Sequence, residues 1–331
     1  MTAQAVAHPA AAAIDPSARL HVITGKGGTG KTTVASALAI ALAEGGRRVL
    51  LVEVEGRQAL AQLFDVPALA YSEQHLCTAA GGGEVVGLAV DPEEALLEYL
   101  DMFYNLKRAA KLMKRMGAID FVTTLAPGLR DVLLTGKVKE RVSEQERDGS
   151  PYYDAVVLDA PPTGRIRQFL DATREVANLA KVGPLNKQSR GVIDLLHGPK
   201  TQVHLVTLLE EMPVQETVDA AQELREAGFR LGAVVVNRVR PTLVRPDHIG
   251  ADGAADPTLL GQGLDMAGID ASFALPLARQ LAEYAERQRV QAENAARLDE
   301  AELPCIVLPD AIPPVEIGEL TELAGYLLGE R

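Results

Sequence analysis

The sequence has no tryptophan and only 4% aromatic residues. A core of any size must therefore be packed from Val, Leu, Ile and Ala. Its two cysteines, Cys77 and Cys305, lie far apart, which excludes a disulfide-rich secreted scaffold and reads as two reduced, buried thiols. His8, His21, His75, His197, His204 and His248 are scattered, without the HxxxH spacing of a metal site, so no zinc is expected. Positive charge is in deficit: 33 Lys and Arg face 45 Asp and Glu, a net charge of −12. That is the wrong sign for broad nucleic-acid binding, which needs a basic face to displace counterions from phosphates. No stretch approaches the roughly 18–20 uninterrupted apolar residues of a membrane span. The Ala-rich residues 1–18 lack the basic start and apolar run of a signal peptide. These absences lead to the expectation of a cytoplasmic chain with a disordered tail over 1–18.

What is present is a rhythm of short apolar runs and helical patterns. Strands are expected at 20–24, 48–55, 84–90, 153–160, 202–209, 232–239 and 304–309, with a weaker one at 271–276. Helices are expected at 31–45, 92–117, 164–180, 214–228, 277–298 and 314–329. Continuous Val/Leu runs between helices predict strands buried on both faces. The reading is an α/β fold: one domain over 19–331 with a doubly wound, mostly parallel sheet and a helical insertion at about 91–150, which the phosphate-loop motif of residues 25–32 makes the P-loop NTPase type.

Two segments carry the chemistry. Gly25-Lys26-Gly27-Gly28-Thr29-Gly30-Lys31-Thr32 satisfies the G-x-x-x-x-G-K-[ST] phosphate-loop pattern. It lies between an apolar strand and a helical run that reads as amphipathic, the strand–loop–helix context that such a loop needs. Its glycines let backbone N–H groups turn inward around phosphate oxygens, and the helix N-terminus adds a positive dipole. Lys31 would contact the β- and γ-phosphates and the Thr32 hydroxyl would ligate Mg²⁺. The second segment is "YDAVVLDAPPTGRIRQFL". Asp159 ends its apolar run, where a carboxylate can organise a magnesium-bound water beside the phosphates, and Ala160 to Arg165 follow as a loop able to sense the γ-phosphate. The expected cofactors are ATP and Mg²⁺.

GKGGTGKTT resembles the deviant phosphate loop, with an additional signature lysine, shared by MinD, ParA, the nitrogenase iron protein and ArsA. "LDAPPTGRIRQFL", "AVDPEEALLEYL" and "VTLLEEMPVQETVDAAQELREAGFRLGAVVVNRV" are similar to the switch II, pre-insertion and strand–helix–strand segments of ArsA-type ATPases. That family includes the eukaryotic factor that targets tail-anchored membrane proteins, and the overall style is that of a bacterial, actinobacterial member. The resemblance implies Lys26 as the signature lysine and Gly27, Gly28, Thr29, Gly30, Lys31, Thr32 and Thr33 as the phosphate loop. It implies Pro162, Thr163 and Gly164 as switch II, Asn237 at the adenine edge, and Pro309, Asp310 and Ala311 as the loop packed on the base. In these families the signature lysine reaches the nucleotide of the other subunit, so the resemblance also implies a homodimer or a heterodimer with a paralogous ATPase.

The chain departs from the family in three places. Glu55-Gly56 stands where relatives carry Asp-Pro. The additional methylene moves the carboxylate that orients the attacking water by more than about 1 Å, so slow or partner-dependent hydrolysis is expected. Glu53 is the alternative carboxylate. Residues 240–270 hold no cysteine, against a zinc-stapled dimer or a thiolate arsenite site. The insertion carries Leu96, Leu100, Met102, Phe103, Met113 and Met116 at helical spacing, which fits core packing or a groove for hydrophobic clients. The basic run Lys107, Arg108, Lys111, Lys114 and Arg115 reads as a solvated face. The expected function is a Mg·ATP-dependent dimeric switch acting on an unknown protein client or membrane partner. Targeting of hydrophobic proteins is an alternative, as is a weakly hydrolysing regulator or a ParA/MinD-like positioning protein. The acidic C-terminal segment argues against membrane docking of the MinD type.

Overall fold

The computed structural model describes residues 13–104, 127–179, 184–245, 248–250, 254–311 and 314–329. Eight strands form one sheet: β1 Leu20–Gly25, β2 Arg48–Glu53, β3 Gln74–Thr78, β4 Glu84–Ala89, β5 Ala155–Asp159, β6 Thr201–Thr207, β7 Leu231–Val239 and β8 Cys305–Pro309. Their order is β3-β4-β2-β5-β1-β6-β7-β8. All pairings are parallel except the edge pair β3–β4. The sheet turns outward in both directions from β1, and the crevice at its carboxyl end is where an open α/β sheet places a ligand.

Alternate residues along each strand feed two separate cores, as a period of two demands. Val49 and Leu51 join Ile23, Val157 and Val235 on one face; Leu50 and Val52 join Val22, Leu158 and Val236 on the other. The first face is covered by α1 (Lys31–Ala43), α2 (Ala59–Leu63) and α10 (Ile317–Leu327). The second is covered by α4 (Pro127–Ser143), α5 (Thr163–Leu179), α6 (Pro184–Leu196) and α7 (Glu211–Glu226). Among the described residues, the helical insertion after β4 holds α3 (Pro92–Tyr104) and α4, and α8 (Pro257–Met266) and α9 (Ala274–Glu300) follow β7. Cys77 and Cys305 are free and buried in strands at opposite edges of the sheet.

Several sequence expectations change. Helix α1 is not amphipathic: every residue from Val34 to Ala43 is buried. Its small side chains let it lie between the sheet and α10, and a helix covered on both sides has no polar face to keep. Residues 271–276 are not a strand. Asp270 accepts from Ser272 N at 2.8 Å and starts a 3₁₀ turn that runs into α9, with Pro276 in the first turn where no donor is needed. Strand β3 and helix α6 stand outside the expected elements; the first is a short bulged edge strand, and the second is an amphipathic helix. Residues 13–18 are not a disordered tail. Ala13, Ile14 and Ala18 are buried, Asp15 N donates to Gln202 Oε1 at 2.8 Å, and Arg230 pairs with Asp15 at 3.0 Å. The earlier tail residues, Met113, Met116, the basic run 107–115 and the rest of the expected helix to 117 lie outside the described residues.

Two histidines are buried on the α1 face. Ala233 N–H donates to His204 Nδ1 at 3.0 Å, which places the proton of neutral His204 on Nε2, 3.1 Å from His21 Nδ1. Burial holds both in the neutral form, His21 at about 4 and His204 well below its usual range. Each takes up its proton on unfolding near pH 6.5, so their contribution to stability is complete above that value and is lost as pH falls toward the folded-state pKa. Asp159, raised to about 6, contributes with the opposite sign. The stability of the wild-type chain should decline from pH 6.5 toward 4.5, each histidine adding up to about 1.4 kcal/mol per pH unit. His21→Gln should flatten that slope in denaturant titrations, whereas equal slopes would show that the pair is not its source.

Candidate functional site

The phosphate loop occupies the carboxyl end of β1, and two of its glycines have no substitute. A Cβ on Gly25 would sit 2.2 Å from the Val206 carbonyl oxygen of β6. Gly30 has φ +89°, and its Cβ would sit 2.3 Å from Asn237 Nδ2. The loop is braced from inside and outside. Thr29 Oγ1 donates to the Lys26 carbonyl at 2.9 Å, and Asn237 Nδ2 donates to the Thr29 carbonyl at 2.9 Å. Gly27 and Gly28 face open space, and Thr32 and Thr33 lie in the first turn of α1.

Lys31 is buried, with Nζ 3.4 Å from the Lys26 carbonyl. Desolvation lowers its pKa against the opposing charges of Asp159 and Glu55. Thr32 Oγ1 donates to Asp159 Oδ2 at 2.7 Å, joining the helix start to the end of β5. Asp159 is buried and its Oδ1 has no partner among the described residues. Burial pushes its pKa up to about 6, resisted by Thr32 and Lys31 and reinforced by Glu53 and Glu55. A hydroxyl and an unpaired carboxylate oxygen, side by side at a phosphate loop, are the hard oxygen donors that fit Mg²⁺.

The segment after Asp159 is fixed at its base. Ala160 N donates to the Ile23 carbonyl at 2.9 Å and Thr24 Oγ1 to the Pro161 carbonyl at 2.7 Å. Pro162 follows, and Thr163 and Gly164 begin α5. Thr163 Oγ1 donates to Glu216 Oε2 at 3.3 Å, while Glu216 Oε1 forms an ion pair with Lys26. Glu216 was not singled out: it stands 190 residues from Lys26, inside the strand–helix–strand segment quoted for the resemblance, where nothing local marks it.

Two carboxylates occupy the end of β2. Glu53 is buried in register with Asp159; its Oε2 accepts from Leu60 N at 3.3 Å and its Oε1 has no partner among the described residues. Glu55 lies beyond the strand, partly exposed and 3.3 Å from Arg57. Further along the sheet edge, Asn237 Oδ1 accepts from Arg238 N at 3.0 Å, and Arg238 has φ +56°. The Asn237 amide keeps one N–H and one lone pair free of these contacts. Asp310 receives Arg238 at 3.1 Å and Arg240 at 3.5 Å. It separates a cleft of about 380 Å³ beside Leu208, Arg238 and Arg287 from one of about 280 Å³ beside Pro309, Ala311 and Tyr326. The structure thus brings Lys26, Lys31, Thr32, Glu55 and Asp159 together, with Asn237 bound to the same loop and residues 309–311 at the neighbouring strand end.

The sequence pattern of the anion-transporting ATPase (ArsA_ATPase) family matches residues 18–198. The chain is 53% identical to ATPase BagA of Mycobacterium tuberculosis over 314 residues, which cover 93% of this chain and 92% of that protein. It is 29% identical over 236 residues to the arsenical pump-driving ATPase of Escherichia coli, covering 66% of this chain and 39% of that protein. A similar protein of Acidiphilium multivorum, also an arsenical pump-driving ATPase, matches at 29% over 236 residues, 66% of this chain and 39% of its own length. With an eight-stranded P-loop sheet and these relatives, the chain belongs to the ArsA family and is an ATPase of the ArsA type.

Proposed function

We propose that the chain is a Mg·ATP-dependent dimeric switch in which ATP draws two subunits together and hydrolysis lets them relax. The observation that carries this reading is the Thr32–Asp159 contact with its free, buried carboxylate oxygen beside Lys31. Thr32 and Asp159 would hold Mg²⁺, the latter through water. The ion would supply charge neutralisation at the phosphates. Backbone N–H groups of Gly27 to Thr33 orient the phosphates, Lys31 contacts the terminal ones, and Glu55 orients the attacking water. Asn237 and residues 309–311 take the adenine ring.

Lys26 supports the dimer. Its ammonium pairs with Glu216 on α7, while Lys31 fills the interior of the loop. Lys26 is therefore not used by its own loop, and it can be drawn away from Glu216 to the phosphates of a second subunit, where a cation stabilises charge developing in the transition state. That subunit is a second copy or a paralogous ATPase, and α3 and α4 pass the change to the client. No helix among the described residues is long and apolar enough to cross a membrane, which suits a cytoplasmic location.

Asp159→Asn should reduce Mg-dependent turnover by at least about 100-fold, because a displaced or missing group at the reacting centre costs on that scale. Turnover near wild type would remove Asp159 from the site. Glu55 gives a signed test. Glu55→Ala should slow steady-state hydrolysis by about 100-fold, whereas Glu55→Asp, which shortens the side chain by one methylene, should raise it above wild type. If neither variant moves the rate, the role passes to Glu53.

A further inference from the structure

Among the described residues, Glu216 is the side chain that touches both the signature lysine and the start of switch II. Its two oxygens point to different elements: Oε1 to Lys26 in the phosphate loop, Oε2 to Thr163 Oγ1 at 3.3 Å. The contacts come from distant parts of the chain, 190 and 53 residues away. They converge because β1, β5 and β6 are adjacent and parallel, and α7 follows β6. Neither contact is needed to close the core. The Lys26 and Glu216 side chains are 31% and 36% exposed, and Glu216 is absent from both apolar clusters.

We propose that Glu216 is a positioning residue that retains Lys26 within its own subunit and releases it when Thr163 is drawn toward a bound nucleotide. This rests on the reading of Lys26 as the lysine that crosses to a second subunit. With both contacts made, the lysine is neutralised in cis, and its transfer must compete with the carboxylate. When switch II moves onto the γ-phosphate, Thr163 leaves Oε2, and the carboxylate loses the contact that fixes its rotamer against Lys26. The phosphates of the facing subunit then offer the ammonium a stronger, multiply charged partner. One carboxylate thus ties occupancy of a subunit's own site to delivery of its lysine to the other. An order of events follows: load first, then reach across.

The test measures ATP-dependent self-association by sedimentation velocity, with Mg·ATPγS as ligand, for wild type, Glu216→Gln, Glu216→Asp and Lys26→Ala. An ion pair at this exposure contributes little. Glu216→Gln should therefore associate at about two- to five-fold lower protein concentration than wild type, and should begin to do so with Mg·ADP, where wild type does not. Glu216→Asp should restore the wild-type nucleotide dependence, and Glu216→Gln should have no effect when combined with Lys26→Ala. Weaker association of Glu216→Gln would overturn the proposal by showing that Glu216 presents the lysine instead of retaining it. No effect of Glu216→Gln, alongside a clear loss in Lys26→Ala, would remove Glu216 alone. Lys26→Ala associating and turning over ATP like wild type would overturn the reading of the lysine and this proposal with it.

Discussion

Strand β1 is hydrogen-bonded in parallel on both sides, to β5 through Leu20–Ile23 and to β6 through Leu20–Gly25. That pairing delivers the carboxyl ends of three strands to one point, and every group of the site depends on it. β1 brings the phosphate loop, β5 brings Asp159, and β6 leads into the helix that carries Glu216. Approach is close enough that Gly25 can bear no side chain against Val206. On the outer side, β7 places Asn237 against the Thr29 carbonyl, so the loop is clasped from the sheet's second half as well. Helix α1, buried from Val34 to Ala43, then aims its N-terminus at the loop, with its position set by α10 behind it.

The charges at this point are arranged against their own burial. Desolvation lowers Lys31 and raises Asp159, and each is the other's compensating charge. Glu53, in register with Asp159, and Glu55 deepen the local negative potential and push Asp159 further up. A phosphate beside Lys31 favours the ammonium, and a divalent cation beside Asp159 favours the carboxylate. Magnesium and nucleotide thus relieve both costs together, which is the physical basis for expecting them to bind as a pair.

The sheet and the centre of the site were legible because their signals are local. Val/Leu runs marked seven of the eight strands, the glycine spacing of residues 25–32 pointed to the loop with Lys31 and Thr32, and Lys26 was singled out by the resemblance to the deviant loop. Asp159 was legible because it ends an apolar strand. Glu216 was not, since what makes it notable is two neighbours brought close by topology, Lys26 and Thr163; Glu53 was legible as the alternative carboxylate, but its register with Asp159 was not. Residues 271–276 differ for a local reason: their apolar residues fit a strand, but the cap at Asp270 and the helix that follows decide the outcome. Residues 13–18 carry no periodic pattern, and their order comes from Gln202 and Arg230, 187 and 215 positions from Asp15.

The central claim is that the site is completed between two subunits by Lys26, and mixing two impaired chains tests it most directly. Lys26→Ala keeps its own site but supplies no lysine; Asp159→Asn supplies the lysine but has a defective site. Mixed in equal amounts with Mg·ATP, they should recover about one quarter of wild-type turnover, from the active site that each mixed dimer contains. A mixture no more active than the sum of its two components would contradict the account for a dimer of identical chains, because no Lys26 would then act across it.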